Sequence, residues 1–148
     1  MKRYLTILVL MLAVLPLLGS RPAEAVERPF HLSGSGTVIE GVIQATGRAT
    51  HLGLFTEAGT LTFAPDPDNP NRVLVSGAAT FTAANGDELQ GQITEASLDL
   101  TTGIGTGVFR FAGGTGRFEA ASGSVGFAVQ QNLITGAFEI TAVGSIDY

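Results

Sequence analysis

The chain has 148 residues, with eight basic and thirteen acidic side chains, nine phenylalanines, and neither cysteine nor tryptophan. Lack of cysteine excludes disulfides, thiolate metal sites and a thiol nucleophile. Beyond residue 25, five arginines face twelve acids, and that balance argues against nucleic acid and against anionic membranes as partners.

Residues 1–25 have the layout of a secretory signal peptide. Lys2 and Arg3 precede the apolar run LTILVLMLAVLPLL, and Ala23 and Ala25 supply the small residues before a cut after Ala25. The run falls short of the roughly 18 to 20 residues that span a bilayer. The expectation is one exported domain, 26–148, secreted or held in the periplasm or cell envelope, with no membrane contact after cleavage. An uncleaved N-terminal anchor is the alternative.

From Phe30 onward apolar and polar residues alternate, the period of half-buried strands. Eight strands are predicted at about 30–38, 47–56, 59–65, 72–84, 88–100, 103–112, 117–130 and 133–147. Asn85-Gly86 is the strongest hairpin signal, since both residues tolerate positive φ, and DPDNPN at 66–71 makes a proline-stiffened loop. Val73, Val75, Ala79 and Phe81 share one face of the fourth strand. In the last strand Ile134, Phe138, Ile140, Ala142, Ile146 and Tyr148 do the same. The apolar phase of the fifth slips between Ile93 and Leu98, which a β-bulge near Glu95 would explain. The stretches 76–94 and 122–141 share Ser-Gly, a following Phe, an Asn-bearing turn and a closing Ile-Thr, and suggest an up-and-down sheet. The fold class is therefore all-β, a single small closed antiparallel barrel of eight strands. Gly77, Gly91, Gly123, Gly136 and Gly144 either let strands coil tightly or leave space for a ligand.

The glycine-rich GGTGR at 113–117 invites comparison with a phosphate loop. A Walker loop needs a lysine, absent after Lys2, and a dinucleotide fingerprint needs a following helix, where this sequence alternates as a strand. GGTGR is predicted to turn a corner, and no cofactor is expected. The phrase FRFAGGTGRFEAASGS, residues 109–124, resembles the strand–turn–strand signature of the allene oxide cyclase and dirigent protein group. GRATHLGLFT (47–56) and TFTAANGDELQG (80–91) are similar to phrases in exported bacterial barrels of the same kind. The resemblance implies an eight-stranded antiparallel barrel with a central apolar cavity and a possible homotrimer. It does not extend to chemistry: Ser122 stands where plant dirigent proteins carry an arginine, and no phrase matches the polar cluster of the cyclases.

Four residues stand out as candidate ligand contacts. His51 could act as a general base or orienting donor in the barrel mouth, or pin a strand by bonding a backbone carbonyl. Arg110, between Phe109 and Phe111, points away from those rings and would need an acid such as Asp99 or Glu139 if it faced inward. Arg117 could pair with Glu119 or Glu40 across strands. Asp66, Asp68, Asn69 and Asn71, joined by Glu57, carry the oxygens calcium takes, although Asp and Asn favour turns in any case. Catalytic residues are not identifiable. The expected function is binding of a small apolar or amphipathic ligand, or a structural role. A cyclase or isomerase working in the cavity and a cell-surface scaffold with a filled barrel are the alternatives. A binder calls for a cavity of roughly 300 Å³ or more, and a scaffold for a filled barrel with an exposed apolar patch.

Overall fold

The computed structural model describes residues 26–148; the signal-peptide assignment for 1–25 lies outside the described residues. Eight strands follow in chain order: β1 Arg28–Ile39, β2 Val42–Ala49, β3 Gly53–Pro65, β4 Arg72–Ala83, β5 Glu88–Asp99, β6 Ile104–Gly114, β7 Ser122–Gln131 and β8 Ala137–Asp147. Each pairs antiparallel with its sequence neighbours, and β8 pairs with β1, so the sheet closes as an up-and-down barrel. Closure leaves no strand edge unpaired. The core lies within that ring, where the buried apolar residues of 26–148 pack against one another.

Alternation sorts the side chains. Phe30, Leu32, Ile43, Phe55, Phe81, Leu89, Ile93, Phe109 and Phe111 point inward, while Thr37, Gln44, Thr46, Thr56, Thr60 and Gln92 stand exposed on the wall. That is the reverse of a membrane-spanning barrel, whose apolar face is the outer one. Inside, Phe30, Phe111, Phe109, Phe81 and Phe55 form a chain of edge-on ring contacts with centroids 5.1 to 5.6 Å apart, each contributing about 0.5–1.5 kcal/mol beyond area burial. The predicted bulge is present: Glu95 has φ 50°, and the register of β5 shifts against both β4 and β6 beside it. The extra residue lets Ile93 and Ala96, three positions apart, both face the interior.

The early strands differ from expectation. β1 and β2 are joined by a tight turn at Glu40-Gly41, both with positive φ. No Asn-Gly or Asp-Gly marks that turn in sequence. The strand placed at 47–56 is divided by a second turn, where His51 has φ 70° and Leu52 tucks into the core. The gap placed at 57–58 is the middle of β3. Two later strands start further along than predicted. Gly116–Phe118 forms a 3₁₀ turn before β7. Asn132 accepts from the N–H groups of Ile134 and Thr135 through its side chain, which holds 132–136 as a loop and leaves Ile134 96% exposed. The two look-alike hairpins, β4–β5 and β7–β8, turn at opposite ends of the barrel.

The two ends are unlike. The end holding both chain termini and the β2–β3, β4–β5 and β6–β7 connections is sealed by Phe30, Leu89, Phe118 and Ile146, all fully buried. The other end carries the β1–β2, β3–β4, β5–β6 and β7–β8 connections, and there the interior opens. Its rim is apolar. Ile39 and Val42 flank the first of these connections, Phe63 and Leu74 the second, Leu100 and Ile104 the third, and Leu133 and Ile134 lie within the fourth; each is at least 42% exposed.

Of the glycines singled out from sequence, Gly136 lies in the 132–136 loop at φ 74° and Gly123 is exposed at φ 111°, while Gly77 and Gly91 serve strand coiling rather than ligand space. A β-carbon on Gly91 would lie 2.3 Å from the Arg110 carbonyl oxygen and 2.4 Å from the Phe109 ring, and one on Gly77 would lie 2.1 Å from the Thr60 carbonyl oxygen. Neighbouring backbone and rings already occupy those positions.

Candidate functional site

The interior holds a cavity of about 90 Å³ that opens toward the apolar rim. Its walls are mainly phenylalanine and aliphatic side chains from every strand, with Phe63, Val38 and Gln131 at the mouth. Polar side chains contribute at three lining positions, Glu57, Ser97 and Gln131.

Glu57 is the chemically distinctive one. It lies mid-strand in β3, opposite Ala45 on β2 and Phe81 on β4, and shares its face with Phe55, Gly59 and Leu61. The sequence puts it there by parity alone, since Phe55 is inward and every second residue follows. The residue is 7% exposed, and Oε2 is shut off from solvent with no hydrogen-bond partner. Burial pushes its pKa from 4.5 up to about 7, because the apolar surroundings penalise the charged form. Such a carboxyl is neutral in mildly acidic solution and can then donate a hydrogen bond. Near neutrality it divides between the two forms.

The four residues singled out from sequence do not meet in this cavity. His51 sits in the β2–β3 turn at the sealed end, its Nε2 3.0 Å from the Pro29 carbonyl oxygen and its ring edge-on to Tyr148 at 5.5 Å. That is the strand-pinning geometry, away from the mouth. Arg110 points outward and pairs at 2.7 Å with Glu95 of the bulge rather than with Asp99 or Glu139. Arg117 lies 3.6 Å from Asp87 and over the Phe118 ring, not against Glu119 or Glu40. Glu119 is exposed in the turn after Phe118. GGTGR does turn a corner: Thr115 donates its backbone N–H to the Glu88 carbonyl, and the chain dives to seat Phe118 as the seal.

Asp66, Asp68, Asn69 and Asn71 lie in the β3–β4 connection. Asp66 accepts from the Asp68 N–H at 2.9 Å and is ion-paired with Arg72; these contacts, the backbone bond first, hold its pKa below the usual carboxylate range. Asn69 accepts from the Asn71 N–H at 3.0 Å. Both are turn-forming contacts. Glu57, grouped with them from sequence, faces the interior instead. Among the described residues no three His, Cys, Asp or Glu side chains cluster as a metal site.

Glu57 was legible in principle. In FTEAGTLTF the alternation Phe55, Glu57, Gly59, Leu61, Phe63 runs unbroken, and a carboxylate in an apolar phase is a signal in itself. Splitting the strand at 57–58 hid it. Comparison of the chain with models of protein families, with curated proteins and with solved structures finds no match.

Proposed function

We propose that this chain is an exported barrel that takes a slender apolar group, such as an alkyl chain or small ring bearing one polar atom, through the open end, and that Glu57 hydrogen-bonds that atom. The carrying observation is a buried carboxyl whose Oε2 has no partner, set among apolar walls beside free space. Leaving a buried polar group unpaired costs about 1–3 kcal/mol, which a ligand supplying the missing partner would recover. Export is supported by the layout of residues 1–25, with β1 beginning shortly after the proposed cut. Kinship with the allene oxide cyclase and dirigent group is supported by FRFAGGTGRFEAASGS, which spans the end of β6, the 3₁₀ turn and the start of β7 in an eight-stranded barrel. That kinship remains our inference, and a homotrimer would follow only from it.

The test is a thermal-shift and native mass spectrometry series on residues 26–148 with straight-chain alcohols, carboxylic acids and simple phenols. A ligand should raise the melting temperature, and Glu57→Leu should weaken the effect across the series, since leucine offers the ligand's polar atom neither a donor nor an acceptor. If no member shifts the parent protein, the binding proposal fails. A second proposal, a structural module that assembles through its end, draws on the cavity being smaller than the roughly 300 Å³ of ordinary ligand sites and on the apolar rim. It predicts no ligand response and an interaction that depends on the rim.

A further inference from the structure

We propose that the open end of the barrel docks on a zwitterionic lipid surface, with the apolar side chains in and beside its four connections entering the interface. The proposal goes beyond the cavity assignment and does not require that the cavity hold a ligand.

Of the eleven large apolar residues that are markedly exposed among the described residues, eight belong to this rim. The others are scattered: Val26 at the start of the described chain, Leu54 and Val143 on the wall. Scattered exposed apolar residues are ordinary, whereas a ring of them at one end marks a surface that something covers. Ile134 is the extreme case, 96% exposed at the tip of a loop that Asn132 holds in place. These side chains stand in or beside four separate connections around a central opening. A fluid apolar phase can close around each tip, which a flat or ridged protein surface cannot do as readily.

Charge selects the occupant. Of the five arginines in the described chain only Arg72 is at this end, and it is held by Asp66. Glu40, Asp68 and Asp99 stand near the rim. Two copies meeting rim to rim would bring these acids together with no free cation to answer them, so self-association is disfavoured. Anionic lipid is disfavoured for the same reason. A zwitterionic headgroup places its ammonium outermost, where it meets the acids while the acyl region receives the apolar tips. The net negative charge that argues against membranes therefore argues against anionic ones only. The described chain starts at the sealed end, opposite the rim.

The experiment is flotation of ligand-free residues 26–148 with phosphatidylcholine vesicles and, separately, phosphatidylglycerol vesicles, with sedimentation velocity on the protein alone. The parent should float with phosphatidylcholine and less well with phosphatidylglycerol. The double variant Leu133→Ser, Ile134→Ser should lose on the order of tenfold in partitioning, since it withdraws two insertable side chains. Leu54→Ser with Val143→Ser should float like the parent. Both rim positions are exposed, so an unchanged melting temperature would separate loss of binding from loss of fold. Absence of flotation with phosphatidylcholine would overturn the proposal. So would an unaltered double variant, or a rim-dependent dimer that ignores vesicles. The vesicle arm is read through Leu133 and Ile134, which do not line the cavity, and the thermal-shift series through Glu57, which does, so the two proposals fail separately.

Discussion

Replacing Glu57 by glutamine should flatten a specific part of the stability profile. In the folded protein the carboxyl titrates near 7, and its ordinary value is 4.5. Between these values the folded state holds a proton that the unfolded state has released, so stability falls as pH rises. The full benefit is present below about pH 4.5 and is gone once pH has risen through about 7. A gap of about 2.5 units at 1.36 kcal/mol each corresponds to about 3 kcal/mol, or roughly 10 °C in melting temperature for a domain of this size. Glutamine does not titrate, so its profile across that window should lack the decline. The assay is a series of thermal melts of parent and Glu57→Gln from pH 4.5 to 8.5, analysed as the difference between the two proteins so that other groups cancel. Asp99, held down to about 2 chiefly by the Thr101 hydroxyl and then by backbone N–H groups, has the opposite sign. Its stabilisation is present above its ordinary 3.8 and is lost as pH falls through about 2, outside the Glu57 window. Parallel profiles for parent and variant would refute the burial argument, and with it the cavity carboxyl as the functional centre.

Further outcomes follow from the packing. Phe118→Ala empties the seal at the closed end and should cost about 3–5 kcal/mol, visible as a large shift in denaturant midpoint with an unchanged slope. Gly91→Ala forces a β-carbon onto the Arg110 carbonyl and the Phe109 ring and should cost about 1–3 kcal/mol by the same measurement; an unperturbed midpoint would mean that the strands separate easily there. Arg110→Ala breaks an exposed pair with Glu95 and should change stability by less than about 1 kcal/mol, with no effect on ligand response. A larger loss in that variant would show that the bulge depends on the ion pair.

How far the sequence could be read depended on what kind of signal each element carried. The β4–β5 hairpin was clear because Asn85-Gly86 is a turn whose residues both tolerate positive φ. The Glu40-Gly41 turn was not, because a glutamate at φ 52° advertises nothing, and with it went the register of β2 and β3. Without that turn, Glu57 falls in a connection instead of at an interior position of β3. The bulge at Glu95 was recoverable, since an insertion shifts the phase of everything after it and Leu98 records the shift. Arg110 was correctly placed opposite its flanking phenylalanines, but its partner on the bulge was not foreseen. Glu95 is separated from it by the turn between β5 and β6, and only strand pairing brings them together.

By itself the sequence determined that the chain folds as antiparallel strands with one apolar and one polar face, because alternation is a local property written in consecutive residues. It also determined that GGTGR turns rather than binds phosphate, since the residues required for binding are missing from the same stretch. Only the tertiary structure decided which end is sealed, that neighbouring backbone fills the space beside Gly77 and Gly91, and that eight apolar side chains in and beside four distant connections form one rim. It also placed a carboxyl among rings contributed by other strands. Each of these depends on closure of the sheet, which sets residues side by side according to strand order and register. Spacing along the chain does not record that juxtaposition.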